Sequence, residues 1–168
     1  MTITRRTVIG GIGATFVAGT VAFFPVRGEA KPRFPYELSD SDWRRRLSPA
    51  AYKVLRHADT ERAGSSPLDK EKRPGTFVCA GCANPVFSSK DKFDSGTGWP
   101  SFVRPLRGIA TKPERGWFGT QTEVHCRRCG GHLGHVFDDG PPPTGKRYCM
   151  NGVAMKFVPE EKPAESKT

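Results

Sequence analysis

Glu123-Val124-His125-Cys126-Arg127-Arg128-Cys129-Gly130 ends a strand-like run in a CxxC knuckle. An earlier knuckle, Cys79-Ala80-Gly81-Cys82, matches it across 43 intervening residues. Four thiolates at this spacing can surround one tetrahedral Zn²⁺, each loop supplying two ligands while backbone amides donate to the sulfurs. A four-sulfur site is closed, with no position left for a substrate, so its role is structural. The gap is longer than in a simple zinc ribbon, and the metal therefore staples strands distant in sequence. Gly81 and Gly130 suit tight knuckles. Two disulfides are the alternative, open to a chain that ends in an oxidising compartment.

Working outward, 19 Gly and 15 Pro leave few long periodic runs, so short strands are expected. They fall at 76–79, 86–87, 102–103, 117–118, 123–126, 136–137 and 147–158. Before them, Ser39 or Ser41 can cap a short helix through Leu47. Ser48 caps a second through about His57, with Pro49 in its first turn. Trp43, Leu47, Tyr52 and Leu55 look like docking residues, and His57 reads as structural or solvated. Residues 31–38 form an extended linker, 58–72 are polar and irregular, and 159–168 are a frayed tail. At 168 residues the chain is one domain with appendages.

The fifth cysteine stands apart in Gly145-Lys146-Arg147-Tyr148-Cys149-Met150-Asn151-Gly152. In a strand, side chains two apart share a face. Arg147, Cys149 and Asn151 then point one way, Tyr148 and Met150 the other. A guanidinium beside a thiol favours its anion. An inert buried cysteine is the other reading.

Two further blocks accompany Cys149 in the sequence. Gly96-Thr97-Gly98-Trp99-Pro100-Ser101-Phe102 fixes a tryptophan between glycine and proline, and His132-Leu133-Gly134-His135-Val136-Phe137 sets two histidines near the second knuckle. Each block alone has a structural explanation in a packed or hydrogen-bonded core. Together with Cys79-Ala80-Gly81-Cys82, Asp138-Asp139-Gly140-Pro141 and Arg147-Tyr148-Cys149-Met150-Asn151-Gly152, they occur in the order that characterises the methionine-R-sulfoxide reductases of the B type. The chain resembles that family over roughly residues 38–158.

The resemblance implies a mainly β fold of zinc-stapled antiparallel sheets, open and barrel-like, with short N-terminal helices, over residues 39–158. It implies reduction of methionine-R-sulfoxide, free or in oxidised proteins, as repair of oxidative damage. Cys149 would be the nucleophile that becomes a sulfenic acid. Trp99 would line the pocket for the substrate methyl, and Phe137 would join it in binding substrate. His132, His135, Arg147 and Asn151 would form the polar wall. Either histidine is a sensible proton donor at neutral pH. Cys79, Cys82, Cys126 and Cys129 would hold one structural Zn²⁺. Many family members carry a resolving cysteine where this chain has Thr97. The reductant must then be external: a small thiol or a thioredoxin- or glutaredoxin-like donor.

The N-terminus, Thr4-Arg5-Arg6-Thr7-Val8-Ile9-Gly10, resembles a twin-arginine export signal, with small residues before a cut after Ala30. That implies export of a folded, metal-loaded protein to a bacterial periplasm. An uncleaved membrane anchor is the alternative, which the glycines and Pro25 disfavour. The formal charge is +10, scattered rather than clustered, and reads as solubility rather than as a nucleic-acid surface. Monomer is the default. A zinc-ribbon binding module and an iron electron carrier are the competing classes, and both leave Trp99, the histidines and Cys149 unexplained as a set.

Overall fold

The computed structural model describes residues 33–116 and 119–161. The expected export signal, the expected strand at 117–118 and residues 162–168 of the tail lie outside them. Among the described residues no helix is long and apolar enough to cross a membrane.

Two helices come first. In α1 (Asp40–Arg46) the Ser39 hydroxyl accepts from the Asp42 amide, with aspartates in the first turn and arginines in the last, matching the helix dipole. The residue before a proline avoids helical backbone, so α1 stops ahead of Ser48-Pro49. Ser48 then caps α2 (Pro49–His57), and Ala58 ends it with left-handed backbone. Both helices fall where the sequence places them. The segment ahead of them is no free linker: the Tyr36 amide donates to the Arg128 carbonyl, and its ring packs edge-on against Trp43.

The strands are β1 (Gly75–Cys79), β2 (Pro85–Ser88), β3 (Lys92–Phe93), β4 (Ser101–Phe102), β5 (Ile109–Gly116), β6 (Gly119–Cys126), β7 (His132–Phe137), β8 (Arg147–Met150) and β9 (Met155–Pro159). They form two antiparallel sheets, ordered β2-β1-β9 and β3-β4-β8-β7-β6-β5. Among the described residues nothing pairs the edge strands β3 and β5, so the larger sheet stays open. Aromatic packing joins the sheets: Phe87 stacks on Phe102 at 4.3 Å between centroids, and Phe77 meets Phe102 edge-on at 4.9 Å. All three rings are fully buried.

Two expectations need correction. The single strand expected over 147–158 is two strands in different sheets, broken by a 3-10 turn at Gly152–Ala154. The Glu61 carboxylate accepts from the Gly152 and Val153 amides, and those bonds divert the chain from one sheet to the other. The tail is also shorter than expected. Pro159 still pairs with Gly75, and the Glu160 amide donates to the Pro74 carbonyl.

Candidate active site and metal centre

Cys79 ends β1 in the smaller sheet and Cys126 ends β6 in the larger one. The knuckle turns bring Cys82 and Cys129 back beside them. The four buried ligand sulfurs all lie within 4.8 Å of one another. Cys79 Sγ is 3.7 Å from Cys129 Sγ, and Cys82 Sγ is 3.5 Å from Cys126 Sγ. Disulfide sulfurs stand about 2.05 Å apart, so these are four free thiols. Tetrahedral zinc with Zn–S of about 2.3 Å sets sulfurs about 3.8 Å apart, and the cluster fits that spacing. Three guanidiniums bind knuckle carbonyls: Arg46 to Gly81, Arg56 to Cys129 and Arg128 to Cys82. Part of the positive charge thus faces a centre that is anionic once its thiols ionise.

Cys149 lies in β8, away from that cluster and half-buried. Sheet register aligns Lys112, Glu123, His135, Cys149 and Ser101 across five neighbouring strands. A cavity of about 150 Å³ opens beside the thiol, lined by Thr60, Trp99, Gly134, His135, Phe137, Cys149 and Asn151. β7 and β8 run so close here that a Cβ on Gly134 would lie 2.2 Å from the Cys149 carbonyl oxygen. Thr97 Oγ1 is 3.9 Å from the Cys149 sulfur.

The thiol differs from the sequence expectation. Burial pushes it up, and the Thr97 and Ser101 hydroxyls and the Arg147 guanidinium only partly offset that. Arg147 has other partners as well. It forms a two-pronged ion pair with Asp139 (2.9 and 2.8 Å) and lies 4.5 Å over the Phe137 ring. It therefore braces the cavity's aromatic wall while also acting on the Cys149 thiol. Tyr148 and Met150 face the core, as alternation requires.

The remaining expected residues divide. Trp99, Phe137, His135 and Asn151 meet at the cavity. His132 is buried and does not line it; its ring sits 5.3 Å from that of His135, centroid to centroid. His132 Nδ1 is 2.9 Å from Glu123 Oε1, and His135 Nε2 is 2.9 Å from Glu114 Oε2. The Asn151 carboxamide accepts from the Glu61 amide and donates to the Leu133 carbonyl.

Sequence reading missed Glu61. Its carbonyl accepts from Trp99 Nε1 at 3.1 Å, its amide holds Asn151, and its carboxylate holds the turn after β8. One residue of a polar, irregular segment thus ties together three parts of the cavity wall. No local pattern marks it, because its partners stand 38 to 92 positions away. Glu123 and Glu114 were missed as well, because their histidine partners, 9 and 21 positions away, are set against them by strand pairing and not by a local motif. The whole arrangement is one half-buried thiol in a small cavity with Trp99, Phe137 and His135 at its wall.

The family described as the SelR domain matches residues 47–159. A peptide methionine sulfoxide reductase MsrB of Leptospira interrogans is 48% identical over 129 residues, covering 74% of this chain and 98% of that protein. The MsrB of Bradyrhizobium diazoefficiens is 52% identical over 124 residues, covering 73% and 89%. The chloroplastic peptide methionine sulfoxide reductase B1 of Arabidopsis thaliana is 47% identical over 127 residues, covering 74% of this chain and 63% of that protein.

Proposed function

The chain belongs to the SelR domain family, and from that premise we propose that it is a peptide-methionine (R)-S-oxide reductase. The carrying observation is Cys149 alone in its cavity, next to Trp99 and His135, while the other four cysteines cluster elsewhere. Because burial raises the thiol, it rests protonated at neutral pH. Attack on the sulfoxide sulfur therefore needs a group that takes the thiol proton and returns it to the departing oxygen. The histidines supply that chemistry. Oxygen moves from substrate sulfur to Cys149 sulfur, giving methionine and a Cys149 sulfenic acid. Substrate sulfur gains two electrons, and Cys149 sulfur loses two. The Trp99 and Phe137 rings receive the substrate methyl and its polarised sulfur.

Recycling comes from outside the chain. A donor thiol attacks the sulfenic acid, water leaves, and a second thiol releases Cys149 from the mixed disulfide. Thr97 supports this, since it stands 3.9 Å from the sulfur at the position where many family members carry a resolving cysteine. The donor is a thioredoxin- or glutaredoxin-like protein or a small thiol, and the substrate is methionine-R-sulfoxide in oxidised proteins or free. Cys79, Cys82, Cys126 and Cys129 hold a structural zinc, which supplies no reactivity and fixes the two knuckles together. The arginine pair Arg5-Arg6 and the apolar, glycine-rich run after it support twin-arginine export to the periplasm.

Turnover of separated R and S epimers of a methionine sulfoxide peptide, with dithiothreitol, tests the reading. Wild type should reduce only the R epimer, and Cys149→Ser should reduce neither. A folded, metal-loaded wild type that reduces neither epimer defeats it.

A further inference from the structure

Both histidines near Cys149 are held by carboxylates from other strands, and the two pairs differ in kind. Glu114 and His135 stand partly in solvent, whereas Glu123 and His132 have side chains only 5% and 3% exposed. Glu123 is also gripped from the far side. Lys112 Nζ lies 2.8 Å from Oε2, pairing by charge. Burial pushes the Glu123 carboxyl up, but His132 and Lys112 outweigh it and hold the group lowered to about 2. The carboxylate is ionised throughout the neutral range, and an ionised carboxylate can only accept hydrogen bonds. His132 must therefore carry its hydrogen on Nδ1.

That leaves His132 Nε2, which is buried and has no hydrogen-bond partner among the described residues. Buried polar atoms are almost always paired, so such an orphan implies an oxygen-bearing occupant, a water or a ligand group. We infer that Glu123 is a positioning residue of the reductase reaction: it fixes His132 with Nδ1–H directed at its carboxylate, so that Nε2 is the nitrogen left to exchange a proton. The inference rests on Cys149 being the nucleophile.

The step balances without any further reagent. As Cys149 sulfur attacks, its proton passes to His132 Nε2 by way of the oxygen-bearing occupant, since His132 does not itself line the cavity. The substrate S–O bond breaks as the Cys149 S–O bond forms, and the proton ends on that oxygen. During transfer the imidazole is briefly cationic, and the Glu123 carboxylate offsets the charge. The same logic gives a buried carboxylate its value behind any catalytic histidine. The sheet register supports the placement. Glu123 sits opposite His135, which sits opposite Cys149, and the His132 ring packs on that of His135.

Glu123→Gln keeps the side chain's size while removing its charge. In the R-epimer assay its kcat should fall on the order of a hundredfold, with KM held within about twofold. Glu123→Asp should recover part of the loss. Lys112→Met, which leaves the carboxylate on His132, should lose less than Glu123→Gln. ¹⁵N spectra of histidine-labelled protein should show His132 protonated at Nδ1 in wild type and altered in Glu123→Gln. A zinc-loaded, folded Glu123→Gln with wild-type kcat would overturn the inference. So would an Nε2–H tautomer in wild type, or an equal loss in Lys112→Met. If Glu123→Gln does not fold, the wild-type spectrum and the Lys112→Met kinetics still decide. If wild type shows no turnover, the reductase reading fails, and the spectra alone then judge the Glu123 contact.

Discussion

At Cys149, desolvation works against ionisation, while the hydroxyls of Thr97 and Ser101 and the Arg147 guanidinium work for it. Alternation along β8 made the guanidinium legible in the sequence. The depth of the thiol was not, because burial depends on strands far away in the chain. Glu123 shows the opposite balance, and its linkage can be tested. Its folded pKa, about 2, lies below the ordinary 4.5, so its contribution to stability is complete above pH ~4.5. That contribution is lost as pH falls toward 2, and by the shift it amounts to about 3 kcal/mol. Urea unfolding of wild type and Glu123→Gln between pH 6 and 3 checks this. The gap between them should be widest at pH 6 and shrink with acid. A gap that does not change with pH would show that the carboxylate is not held in this way.

At the scale of elements, helices α1 and α2 were readable because their caps are local: Ser39, Ser48 and Pro49 act within one turn. β5 was not, since Pro113 and its charged neighbours lack an apolar alternation. It tolerates proline because, among the described residues, it is an edge strand hydrogen-bonded only to β6. The run after Cys149 misled for a related reason. Its alternation continues, but Glu61 turns the chain between two sheets. Close approach of β7 and β8 gives the sharpest prediction here. A Gly134→Ala methyl would meet the Cys149 carbonyl at 2.2 Å and Met150 Cα at 3.0 Å. Such overpacking against backbone typically costs about 1–3 kcal/mol, and it moves the reactive cysteine. Calorimetry should show a lower thermal midpoint, and the R-epimer assay a lower kcat. Unchanged values for both would mean that the strands can separate freely.

For the molecule as a whole, the four-cysteine cluster bridges the two sheets through the ends of β1 and β6. Arg46 of α1 and Arg56 of α2 add the helices to the same junction. Metal binding to such a site is coupled to folding. Stripping it with a chelator, or Cys126→Ser, should lower the thermal midpoint by on the order of 10 °C or more. Zinc quantification beside calorimetry checks this, and one equivalent should leave with the stability. A midpoint unmoved after complete metal loss would make the cluster dispensable to the fold.

By itself the sequence determined the two knuckles, the helix caps, the isolation of Cys149 and the aromatic and histidine blocks. Each is written within a few residues, as spacing, turn chemistry or alternation. Only the tertiary structure decided that Arg147 braces Phe137, that His132 lies buried on Glu123, and that Glu61 binds Trp99, Asn151 and the turn after β8. Those contacts join side chains from separate strands and loops. A side chain's hydration, charge state and partners depend on what the sheets bring against it, and no local pattern carries that information.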